Sequence, residues 1–348
     1  MSVATLTAPV SLRRPTLGRG HLLLLAAATF LVTLGLFAVT PLNGVADFIV
    51  VFGVAYVSVQ TAASYAIEGG RVARNRLALT LLVGAVVLAV LPLLAVLVYT
   101  IGRGGKAISG SFLSQTMRGV GPLDNSGGAY HSIIGTVEQV GLASAISIPI
   151  GLLAAIYVVE YGRGRFAFWV RFFVDVMTGL PSIVAGLFVY AFLVIGLHQG
   201  FSGFAAGMAL SVLMLPVVVR ASEEMLKLVP NELREASYGL GIPRWRTIVS
   251  VVLPAASSGL TTGVMLAIAR VTGETAPLLL TAFGFDSLRS NPFHGPQSAL
   301  PLYVFQQAGS AFDVAVNRAW AGALTLIAIV LLLTVAARLL TRRNRLAT

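Results

Sequence analysis

The sequence predicts an all-α integral membrane protein, and three of its features lead there. Apolar residues fill 57% of the 348 positions and charged residues only 11%. A soluble domain carries about 25% charged residues, so this chain cannot cover itself with a hydrated surface. Apolar runs of the length that crosses hydrocarbon, about 20 residues, recur along it, and Lys and Arg gather in alternate connecting segments.

Eight runs qualify as spans: 22–40, 45–67, 77–101, 133–159, 172–197, 203–219, 260–283 and 319–340. The first follows Arg13, Arg14 and Arg19 but is longer than the 7–15 apolar residues of a signal peptide, and no small-x-small cleavage site precedes Pro41, so it reads as a retained anchor. With the N-terminus inside, eighteen of the 24 Lys and Arg lie in inner segments and five in outer ones, which leaves Arg270 alone within a span. This distribution expects both termini in the cytoplasm. It also explains the net charge of +11 without nucleic acid. The outer loops, 102–132 and 284–318, are rich in Gly, Ser, Pro and Asn. Pro149, Pro181 and Pro216 are expected to break three spans. No repeat relates the two halves, so an inverted-repeat transporter has no support.

The absence of cysteine removes disulfides, thiolate metal sites and Cys nucleophiles. His21, His131, His198 and His294 are scattered, so neither a metal nor a cofactor is expected. No Gly-x-x-x-x-Gly-Lys-Ser/Thr loop occurs: Gly105–Lys106 runs into Ala107 and lacks the upstream Gly. Nucleotide hydrolysis must therefore come from elsewhere.

One polar stretch stands out. Nine charged residues fall between Arg220 and Arg246, around the segment ELREASYGLGIPRWRTIVSVVLP at 232–254. Leu226, Val229, Leu233, Ala236 (or Ser237) and Leu240 recur at helical spacing, which predicts one amphipathic face. Glu232, Arg234 and Glu235 fall toward solvent. Gly241 suits the left-handed conformation that stops a helix, and Pro243 suits the first turn of the next. The stretch is either an ordinary surface loop or a docking element.

A second candidate lies within a span. Arg270 and Glu274, four residues apart, are expected on one helical face near mid-membrane, where charges are costly and usually face a bundle interior or a pathway. They form either a structural pair or an anion gate built on the bidentate guanidinium fork. Arg220, at the end of its apolar run, either snorkels to the interface or pairs with Asp175.

The spacing EASYGLG, nine residues, VVLP resembles the permease signature of ABC importers, Glu-Ala-Ala-x-x-x-Gly followed by nine residues and Ile-x-Leu-Pro, with Ser237 and Val251 as departures. The runs PSIVAGLFVY, PVVVRASEEMLKLVPNELREASYGLGIPRW and TGVMLAIARVTGETAPLLLTAF are further similar to the PstA-type family of permeases from bacterial phosphate importers. That resemblance spans roughly residues 75 to 340.

It implies a type I ABC importer permease fold with a six-span core. Residues 1–76 then form an added two-span extension, and residues 77–348 the permease domain with a coupling helix near 221–246. It implies no catalytic chemistry in this chain, which would sit in a bacterial plasma membrane. Its expected partners are a homologous PstC-like permease, two copies of a PstB-like ATP-binding subunit, a PstS-like binding protein, membrane lipid and inorganic phosphate. Glu232, Glu235, Ala236, Gly241 and Pro243 are expected to couple to the ATPase, and Arg220, Arg270 and Glu274 to line the pathway or gate. The alternatives are an importer of sulfate or molybdate, a membrane-embedded enzyme, for which no His or carboxylate constellation is visible, and a phosphate-sensing scaffold.

Overall fold

A computed structural model describes residues 16–40, 44–121 and 123–345. The described residues are mostly helical, and seven helices among them are long and apolar enough to cross a membrane. An eighth span arises if the bent pair Arg165–Thr178 and Ser182–Gly196 counts as one. The chain divides into two compact units, Met1–Leu97 and Val98–Thr348.

In the first unit α1 (Arg19–Val39) packs on α2 (Val45–Glu68). Phe30 and Phe37 meet Phe48 edge-to-face, and Phe48, Phe52 and Tyr56 stack in turn along α2. Such aromatic pairs add to what area burial alone contributes. Helix α2 ends where Gly69 takes φ +94°. There the buried Glu68 carboxylate accepts from Arg76, Ser64 and the Leu17 backbone N–H at 2.7 Å each. This satisfies a carboxylate that would otherwise be costly to bury.

Helix α3 (Gly70–Ala107) and the short α4 (Gly110–Ser114) lead into the second unit. Its centre is α5 (Tyr130–Ile156), α8 (Gly203–Lys227) and α11 (Leu253–Thr272). Without a hydrophobic drive between lipid-embedded helices, close approach depends on small residues. A Cβ at Gly151 of α5 would meet Val218 of α8 at 2.7 Å, and one at Gly263 of α11 would meet Ala221 of α8 at the same distance. Val140, Leu210, Met214, Ala267 and Val271 fill the space between these helices.

Two expected spans are built differently. Residues 172–197 are not straight. Helices α6 (Arg165–Thr178) and α7 (Ser182–Val189, continued by a π-helical turn to Gly196) meet at 107°. Gly179 ends α6, and Pro181, which has no backbone N–H to donate, opens α7. Of the three prolines expected to break spans, only Pro181 lies at a bend; Pro149 and Pro216 sit inside continuous α5 and α8.

The span expected at 260–283 instead runs Arg244–Thr272, from α10 (Arg244–Thr247) through a π-helical turn into α11. Gly273 caps it, and the separate short α12 (Ala276–Thr281) carries Pro277 in its first turn. Helices α13 (Leu300–Ala308) and α14 (Asp313–Arg345) complete the unit.

Candidate functional site

The polar stretch folds as helix, corner and helix. Helix α9 spans Asn231–Gly239. Gly241 adopts φ +78°, the left-handed conformation expected of it, and α10 begins at Arg244 just after Pro243. The single amphipathic face does not form. Pro230 separates α8 from α9, so the helical phase restarts. Leu226 and Val229 belong to α8 and its tail and are buried, whereas Leu233 and Leu240 on the α9 side are 44% and 80% exposed. Glu232, Glu235, Ala236, Tyr238 and Trp245 are exposed beside them.

Arg234, expected at the solvent side, instead anchors the helix. Its Nη2 donates to Glu160 Oε1 at 2.8 Å and to Leu226 O at 3.0 Å, and its Nη1 donates to Val229 O at 2.6 Å. One guanidinium therefore closes the carbonyl end of α8 and ties α9 to the far end of α5. Glu160 lies in the π-helical turn Tyr157–Tyr161 that continues α5, its side chain 4% exposed. Arg244 donates to the Glu160 carbonyl and lies 5.0 Å over the Tyr161 ring. Ser237 and Thr247 share a buried 2.8 Å hydroxyl contact across the corner. One side of the element is thus fastened to α5, while the side carrying Leu233, Leu240 and Trp245 is open.

Next to the corner, Glu223 of α8 is almost fully buried and draws in three cations. Arg220 Nη1 lies 2.8 Å away, Lys227 Nζ 3.0 Å and Arg171 Nε 3.8 Å. Arg220 also pairs with Asp175, so it does more than snorkel. Glu160 and Glu223 both escaped the sequence reading. For Glu160 the available signal was a lone acid at the end of an apolar run, and its partners lie 74 and 84 residues away.

Arg270 and Glu274 are not brought onto one helical face. Gly273 ends α11 between them, and Glu274 falls in the break before α12. Pro277, in the first turn of α12, has no backbone N–H to carry the α11 ladder onward, so the two helices do not run on as one. Among the described residues no ion pair joins them. Arg270 is exposed and Glu274 half-buried.

At the other end of α5, Gln297 is a polar hub. It accepts from Gln139 at 3.0 Å and donates to Glu138 and to the Arg289 carbonyl. It sits where a Cβ at Gly203 would come within 2.0 Å of its oxygen. Among the described residues no three His, Asp or Glu side chains gather as metal ligands.

Residues 147–346, which contain the corner, Arg220 and Arg270, match the model of a family described as binding-protein-dependent transport system inner membrane component. The chain is 45% identical over 278 residues to the phosphate transport system permease protein PstA 1 of Mycobacterium tuberculosis, covering 78% of this chain and 90% of that one. It is 40% identical to PstA of Yersinia pestis, covering 78% and 91%, and 41% identical to PstA of Haemophilus influenzae, covering 77% and 94%. Among solved structures, an inward-facing form of the MetNI methionine ABC transporter superposes with a TM-score of 0.51 at 18% identity, over 68% of this chain and 99% of that chain.

Proposed function

This chain belongs to the family of binding-protein-dependent transport system inner membrane components, and from that premise we propose that it is the PstA-type permease of an ATP-driven importer of inorganic phosphate. The observation that carries the mechanism is the two-sided corner at α9, with Arg234 bound to Glu160 on one side and Leu233, Leu240 and Trp245 open on the other. The open side, with Glu232, Glu235 and Ala236, docks on a PstB-like ATP-binding subunit, two copies of which serve the complex and perform the hydrolysis. The Gly241–Pro243 turn holds α9 at a fixed angle to α10, so motion of the ATPase passes to α11 as a rigid-body displacement.

A PstC-like permease completes the pathway, and a PstS-like protein delivers phosphate. Both termini lie on the cytoplasmic side of a bacterial plasma membrane. Arg270 receives the anion through its bidentate fork. With no carboxylate bound to it among the described residues, that fork is available to a ligand without first breaking a pair. Glu274 lines the same break in the chain, and Arg220, held by Glu223 and Asp175, gates the pathway at the α9 end. The two-span extension at residues 1–76 precedes this machinery, with the permease domain from 77 to 348.

ATP-dependent uptake of labelled phosphate into proteoliposomes holding the whole complex tests this reading. Arg270→Ala is expected to abolish uptake while all subunits still co-purify. Unchanged uptake would remove Arg270 from the pathway. Transport of sulfate or molybdate by the wild type, with no phosphate moved, would overturn the substrate.

A further inference from the structure

We propose that the end of the bundle opposite α9 carries a binding site for a phosphate-bearing anion, between the last turns of α3 and the first turns of α14. A cavity of about 420 Å³ there is lined by Arg103, Lys106, Asn125, Asn317 and Arg318.

Arg318 carries the argument, because it is 7% exposed and its hydrogen bonds among the described residues go to neutral acceptors. Nη1 donates to the carbonyls of Asp124 at 2.7 Å and Ser126 at 3.1 Å, and Nε donates to Gln307 Oε1 at 3.1 Å. The Asp124 carboxylate is turned away, accepting from the Gly121 N–H at 2.7 Å. Among the described residues Arg318 has no ion-pair partner. Its Nη2 makes no hydrogen bond there, yet it is not among the buried atoms sealed from solvent. Burying a charge without a counter-charge is costly, and the free edge of this guanidinium borders the cavity.

Arg103 and Lys106 add two more cations with no ion pair among the described residues. Their position at the carbonyl end of α3 offsets the helix dipole and would explain those two alone. It does not explain a buried Arg318 brought beside them. Three like charges around one cavity repel, and an anion with several acceptor oxygens converts that repulsion into charge-assisted hydrogen bonds. Asn125 and Asn317 supply further amide donors. The walls are closely set, since a Cβ at Gly104 of α3 would lie 2.6 Å from the Trp320 carbonyl of α14.

The rings of Tyr99 and Trp320 meet edge-to-face at 5.0 Å, with Arg103 over Tyr99 at 5.4 Å. Tyr and Trp concentrate at headgroup level, so the cavity sits where both a lipid phosphate and a free phosphate ion can reach it. The chemistry is the same for either source. It does not depend on which anion the chain transports.

The test uses the membrane complex, comparing wild type with Arg103→Gln/Lys106→Gln, two exposed side chains, and with Arg318→Lys, which keeps the charge but loses the fork. In one arm, mass spectrometry measures phosphatidylglycerol retained by complexes drawn from mixed phosphatidylglycerol and phosphatidylcholine bilayers. In the other, equilibrium dialysis measures labelled inorganic phosphate on complexes in phosphatidylcholine alone. About a tenfold loss per charged hydrogen bond removed is expected. A loss confined to the lipid arm identifies a headgroup site, and a loss in the dialysis arm identifies free phosphate. If neither variant changes either arm, the cations only offset the α3 dipole and the proposal is wrong.

Discussion

The two ends of the second unit treat charge in opposite ways. At the α9 end the main cations have carboxylates: Arg234 has Glu160, and Arg171, Arg220 and Lys227 share Glu223. At the other end Arg103, Lys106 and Arg318 face one cavity without an ion pair among the described residues. Paired charges within one chain add rigidity and direction. Unpaired ones beside open space leave binding energy for a ligand. The first arrangement suits a part that must pass on force, and the second a part that must capture something.

The largest expected effect comes from breaking the paired end. Glu160→Lys places two cations in a buried position, and loss of one partner of a buried pair costs about 3–5 kcal/mol. Phosphate uptake by the reconstituted complex should fall to background, and Glu160→Arg combined with Arg234→Glu should recover part of it. If the swap restores nothing while Glu160→Gln is silent, the pair does not transmit motion.

A smaller effect on this chain, though not on assembly, is expected from the open face. Leu240→Glu alters a side chain that is 80% exposed and should change the chain's own stability by no more than about 0.5 kcal/mol. Co-purification of the ATP-binding subunit should nevertheless drop, and retention at the wild-type level would mean that α9 docks by another face.

Ser237→Ala removes the buried contact to Thr247 and should cost about 1 kcal/mol, read as a lower midpoint in thermal unfolding of the complex. The smallest effect concerns the break after α11. Because Gly273 separates Arg270 from Glu274, a double-mutant cycle on phosphate affinity should give a coupling within about 0.5 kcal/mol. A larger coupling would restore the pair that the helix break denies.

These contrasts also mark what sequence periodicity can convey. The all-α membrane class, most span positions and the Gly241 corner were legible, because each depends on residues near one another in the chain. The 107° bend was half legible: Pro181 was one of three suspects, and Gly179 just before it is the feature that Pro149 and Pro216, which α5 and α8 absorb, lack. The α9 face was misread because spacing was counted across Pro230. Arg270 and Glu274 were misread because Gly273 and Pro277 were not weighed as a stop. Two partners of Glu223, Arg220 and Lys227, stand three and four residues away on its own helix, whereas Glu160 is marked only as a lone acid, its partners coming from other helices. The cation cavity was hidden for the same reason, Arg103 and Arg318 being far apart in sequence.

The anchoring of α5 has one more consequence. Counted with its π-helical turn, the helix runs Tyr130–Tyr161, 32 residues, or about 48 Å at 1.5 Å per residue. It is fastened by Glu160 to the corner below and by Gln139, through Gln297, to the loop above. A rod pinned at both ends cannot slide along its own axis without dragging both attachments. Its easiest response is to buckle, and Pro149, which lacks an N–H to complete the ladder, lies near its middle. A push at the corner would then emerge as a sideways bow of α5 against α8, at the level where Gly151 meets Val218.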